Sequence, residues 1–120
     1  MTPELYDLSA QITALPGWGW RPGMRVILPI SGRGIHLQDL YAPSGICGCP
    51  AVGSLPDLTD PATAGAMLEM LSGQSVQAQV TPDGWRVVMV FTGLIPSVSA
   101  QATTLGEAIA RLVVALGGWR

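Results

Sequence analysis

The sequence predicts an α+β fold with the order α-β-β-α-β-β-α: a four-stranded antiparallel sheet with helices packed on one face. Three observations lead there. Three stretches repeat apolar residues at helical spacing behind a capping residue. Two pairs of β-rich runs are each joined by a short glycine-containing turn. The chain has 120 residues, enough for one core, so 1–120 is read as a single domain.

The first helix is expected from Pro3 to about Leu15. Thr2 can cap it, Pro3 suits its first position, and Glu4 faces the positive end of its dipole. Leu5, Leu8, Ile12 and Leu15 form one stripe, with Tyr6, Asp7, Ser9 and Gln11 off it. Pro16-Gly17 stops it. A turn-rich bridge over residues 16 to 23 leads to a strand over Met24 to Ile30, a turn at Ser31 to Gly34, and a returning strand over Ile35 to Tyr41. A long loop follows from residue 42 to 57.

The second helix starts at Asp60 as N-cap, with Pro61 in its first position and Ala64, Met67, Leu68 and Leu71 as its stripe; Gly73 ends it. Gly65 inside it costs up to about 1 kcal/mol relative to alanine, which a close neighbour would explain. Val76 to Val80 and Trp85 to Thr92 form the clearest hairpin, around Thr81-Pro82-Asp83-Gly84. In the first of these strands Gln77 and Gln79 make one face wet. The second is apolar on both faces, which places it centrally or against a partner. Gly93 to Ala102 reads as a loop. The third helix runs from Leu105 to about Leu116. Thr104 and Glu107 fit a capping box, Leu105, Ile109, Leu112, Val113 and Leu116 make a wide stripe, and Gly117-Gly118 stops it.

Composition excludes several function classes. Hydrophobic residues make up 48% and charged residues 12%, with a formal net charge of -2. The charged share of ordinary domains is about 25%, so this surface is largely uncharged. A basic nucleic-acid binder and an acidic DNA mimic are both disfavoured. The six basic residues are all arginine, so neither a Schiff-base nor a phosphate-loop lysine exists. No apolar run approaches the about 20 residues of a membrane span. The start lacks the pattern of a signal peptide. The expectation is a cytoplasmic protein with reduced cysteines and no membrane partner.

Candidate sites are sparse. Cys47, Cys49 and His36 offer thiolates and imidazole suited to zinc, but a structural site wants four ligands, so no metal or other cofactor is expected. His36 and Asp39 point to opposite faces of a strand and make a poor base pair. Asp57, Asp60 and Glu69 are an unpersuasive carboxylate set, because Asp60 already caps a helix. Arg21, Arg25 and Arg33, the last between Gly32 and Gly34, could hold an anion beside Trp18 and Trp20, which share an extended loop. The preferred account of Trp18 and Trp20 is that they cover the end of the core beneath the first helix.

The runs Ala14 to Met24, Leu55 to Thr63 (Leu-Pro-Asp-Leu-Thr-Asp-Pro-Ala-Thr) and Gly84 to Val87, with the alanine-rich last helix, resemble small bacteriophage and prophage accessory proteins. The resemblance implies no catalytic residues. It implies a phage-encoded, non-enzymatic protein that binds a protein of its host, in the host cytoplasm, among them inhibitors of antiviral defence such as anti-CRISPR proteins. Alternatives are a protein that binds or sequesters a nucleotide or anion, and a small phage structural or assembly protein. Burial arithmetic adds an expected homodimer: the mean hydropathy is +0.40, and soluble monomers rarely expose large apolar patches. Val88 and Val90 would form its contact with Trp119 at the rim, unless Ile46, Val52 and Leu55 of the long loop cover that face.

Overall fold

The computed structural model of the chain describes residues 2–21, 24–27, 34–36, 55–71, 75–90 and 98–119, with 34–36 as backbone. Helix α1 (Pro3–Ala14) begins where expected. Thr2 Oγ1 accepts the Leu5 N–H at 3.3 Å, which satisfies one of the free donors of a helix start. Leu5 and Ile12 are buried, and Leu8 and Leu15 pack against the core from its margin. Ser9 is buried as well, contrary to the sequence reading. It lies four residues after Leu5 and three before Ile12, on the same face. Its hydroxyl donates to the Pro56 carbonyl at 2.9 Å, which makes burial tolerable.

Three short strands form the first sheet: β1 (Arg25–Ile27), β2 (Gly34–His36) and β3 (Leu55–Pro56), in the order β2-β1-β3. Both pairings are antiparallel, with Val26 opposite Ile35 on one side and Pro56 on the other. Strands β1 and β2 pair antiparallel as the expected first hairpin requires; its turn, its extensions to Ile30 and Tyr41, and residues 42–54 of the expected loop lie outside the described residues, while Leu55–Pro56, read as the end of that loop, is the strand β3. The second sheet contains β4 (Val76–Thr81), β5 (Gly84–Met89) and β6 (Val98–Ala102), in the order β4-β5-β6. Thr81 pairs with Gly84 across Pro82 and Asp83. Gly84 has φ +146°, and a Cβ there would collide with the Ala102 carbonyl oxygen, so only glycine fits this turn.

The α+β class therefore holds, while the single four-stranded sheet does not: there are two three-stranded sheets. Segment 98–102, read as loop, is the strand β6 and occupies the edge of β5. Leu55–Pro56 similarly occupies the edge of β1. With both sides of β1 and both sides of β5 taken within each unit, these two central strands do not pair with each other.

Helix α2 (Pro61–Met70) starts with Asp60, whose Oδ2 accepts the Thr63 N–H at 2.9 Å. Ala64, Met67 and Leu71 are buried as expected, together with Thr63 and Ala66. Gly65 is exposed and a Cβ there would meet nothing, so no close neighbour explains it. The glycine that a close approach requires is Gly106, where a Cβ would strike the Leu58 carbonyl.

Helix α3 (Leu105–Leu116) is the centre of the molecule, packed against β5, β6, α2 and α1. Ala108, Ile109, Ala110, Leu112 and Val113 are fully buried, a stripe wide enough to serve all four neighbours. Thr104 caps it by accepting the Glu107 N–H at 3.3 Å. The reciprocal half of the expected box is replaced: the Glu107 carboxylate accepts from Arg111 Nη2 at 3.4 Å. Gly117 (φ +80°) ends the helix, and the Gly117 and Gly118 N–H groups both donate to Val113 O, as left-handed helix ends do. No described helix is long and apolar enough to cross a membrane.

Candidate functional site

The residues following α1 and α3 are locked together. Trp119 donates from its backbone N–H to Pro16 O and from Nε1 to Ile12 O, both at 2.9 Å. Gly17 has φ +90°, and a Cβ there would overlap Trp119 O. Trp18 stacks at a tilt on Trp119, ring centres 5.4 Å apart, and meets Trp20 edge-on at 5.2 Å. Trp18 and Trp20 are half-buried against the core. This is the capping of the core's end that the sequence favoured, with Trp119 as its anchor. Trp119 is 6% exposed, so it is not an interface rim beside Val88 and Val90.

The second polar cluster joins β1, β3 and the start of α2. Thr63 Oγ1 accepts the Arg25 N–H at 2.7 Å and donates to Asp60 Oδ2 at 2.9 Å. Asp57 Oδ1 accepts from the N–H and hydroxyl of Thr59 at 2.9 and 2.6 Å. Arg25 Nε lies 3.7 Å from Asp57 Oδ2, an ion-pair distance too long for a hydrogen bond. The segment Leu55 to Thr63 thus ties the first sheet to α2. Its carboxylates act on their own backbone and on Arg25, while Glu69 is exposed farther along α2. Arg21 is exposed, and Arg25 is directed to Asp57. Among the described residues no group of three or more His, Cys, Asp or Glu could hold a metal ion. Arg33, Cys47 and Cys49, with Asp39, Ile46 and Val52, lie outside the described residues, and His36 is described only as the backbone partner of Arg25.

A cleft of about 480 Å³ is lined by Glu4, Asp7, Leu8 and Gln11 of α1 and by Arg111 and Val114 of α3. A cleft of about 230 Å³ between the starts of α2 and α3 is walled by Trp85, Pro61, Ala64 and Leu105. It falls below the roughly 300–1,000 Å³ usual for small-molecule pockets. A further feature is the face of the second sheet turned away from α3. Side chains alternate across a sheet, so with Val87 and Met89 buried toward the core, Arg86, Val88 and Val90 point outward. Gln77 and Gln79 of β4 and Gln101 of β6 share that face and are exposed. Val90 is 44% exposed and Val88 half-buried. Leu55, one candidate to cover this face, is paired with Ile27 in the first sheet. The sequence marked Val88 and Val90, and separately the wet face of Gln77 and Gln79; that these glutamines and Gln101 share one face with the valines required the register. Comparison of the chain with protein-family models, curated proteins and solved structures finds no match.

Proposed function

We propose that the chain is a non-enzymatic binding protein that engages a protein partner through the outward face of its second sheet. The observation that supports this reading is the composition of that face: two valines and one arginine among uncharged glutamines and serines, with no described helix across it. Scarcity of charge and the presence of arginine are two features of protein interfaces that this face shares. The buried polar side chains Ser9, Asp57 and Thr63 all bond to neighbouring backbone or side chains, which supports structural roles for them. The resemblance to phage accessory proteins makes a host protein the expected partner, with components of antiviral defence the first to test. Affinity capture from host lysate with the wild type and with Val88→Glu/Val90→Glu, followed by reconstitution from purified components, tests the reading. A partner bound by the wild type and lost in the folded double variant supports it. A partner bound equally by both, or none at all, overturns it.

A further inference from the structure

The outer edge of β4, which no described strand pairs, departs from the way proteins ordinarily protect a sheet edge. Exposed edges are blunted by lysine, proline, bulges or short length. Strand β4 carries Val-Gln-Ala-Gln-Val-Thr, with no charge and no proline, and pairs residue for residue with β5 over its whole length. Gln77 to Val80 are exposed, and Val80 is 75% exposed.

The sequence of this edge is also a palindrome. Val76-Gln77-Ala78-Gln79-Val80 reads the same in both directions about Ala78. An antiparallel strand pair related by a two-fold axis at Ala78 places Val76 opposite Val80, Gln77 opposite Gln79, and Ala78 opposite its own copy. Ser75 then faces Thr81. Like side chains meet like side chains, each pairing occurs twice across the axis as a two-fold contact requires, and no charge opposes another.

The hydrogen-bond phase agrees with that register. The Val90 N–H donates to Ser75 O at 2.8 Å, so Ser75 points its backbone groups toward β5. Backbone direction alternates along an antiparallel strand, so Gln77, Gln79 and Thr81 also point inward. Val76, Ala78 and Val80 therefore present their N–H and C=O groups to the open edge. With the axis at Ala78, these are the groups that meet their counterparts, giving about six backbone hydrogen bonds between the copies.

We propose that the chain forms a two-fold homodimer through β4, with Ala78 at the axis, which joins the two second sheets into one continuous six-stranded sheet. This contact is distinct from a dimer closed through Val88 and Val90, and it leaves their face open on both copies. Edge pairing of this length buries less than the about 1,200 Å² of a standard interface, so the dimer forms in a concentration-dependent way, in the micromolar range.

Sedimentation velocity on the full chain from about 1 µM to about 500 µM, a span chosen to bracket that range, tests the proposal. Wild type should move from one chain toward two. Ala78→Lys and Ala78→Glu each place like charges directly opposite at the axis and should remain single chains. Mixed in equal amounts they should form dimers, because only a register with Ala78 facing its copy sets lysine against glutamate. Ala78→Pro is the second variant: it removes an outward N–H, leaves the bonds to β5 intact, and should stay a single chain with unchanged circular dichroism. A wild type that remains one chain throughout overturns the proposal. So do single-charge variants that still dimerise, or a mixture that does not.

Discussion

Replacing Trp119 by alanine tests the lock between the ends of α1 and α3. The indole is 6% exposed, donates to Ile12 O at 2.9 Å and stacks on Trp18. A buried tryptophan removes roughly 200 Å² from water, which at about 25 cal/mol/Å² is about 5 kcal/mol. Residual structure in the unfolded chain lowers this by roughly 10–40%. The lost hydrogen bond adds about 1 kcal/mol. Ile12 O retains the Leu15 N–H at 3.4 Å, so it is not left wholly unpaired. The expected loss is about 4–5.5 kcal/mol, at the upper end of large-to-small changes in cores, against a total stability of roughly 5–15 kcal/mol for a domain. Urea unfolding followed by far-ultraviolet circular dichroism reads this as a lowered midpoint at unchanged slope. A loss under about 1 kcal/mol, far below the core-truncation range, would show that the last residues do not dock on α1.

Three further substitutions probe the framework. Gly65→Ala should stabilise by about 0.5–1 kcal/mol, because the position is helical, exposed and open to a methyl group; a lower thermal midpoint would mean α2 packs differently. Thr104→Ala should cost about 1–2 kcal/mol, in the upper part of the capping range, since the hydroxyl both caps α3 and donates to Leu58 O at 3.1 Å. Thr104→Ser should recover most of it, and equal midpoints for Thr104→Ala and wild type would refute both roles. Thr63→Val should cost about 1–3 kcal/mol by stranding the Arg25 N–H, and hydrogen exchange should speed at that amide; an unchanged rate would show another acceptor takes over.

The helices were legible because their signals are local. Thr2, Asp60 and Thr104 each sit just before an apolar stripe, and each accepts a backbone N–H of the first turn. The hairpin around Pro82 and Asp83 was legible for the same reason. Strand β6 was not: Val98, Ala100 and Ala102 alternate with Ser99 and Gln101, but alanine and serine carry little strand preference, and the segment's pairing with β5 is a tertiary outcome. Missing it led to the single sheet. Gly65 and Gly106 show the same limit, since a close approach depends on which backbone lies opposite. Trp119, expected at the rim of a contact, is instead carried onto α1 by the left-handed Gly117, a turn whose outcome depends on what lies opposite. The symmetry of β4 was present in the sequence throughout, but its meaning depends on β4 being an edge.

The most direct test of the binding account is hydrogen–deuterium exchange on the chain with and without its captured and purified partner. Protection on binding should concentrate in residues 76–90 and 98–102, whose outward side chains include Gln77, Arg86, Val88 and Gln101. Protection confined to the tryptophan segment 16–21 or to the starts of α2 and α3, with the second sheet unchanged, would contradict it.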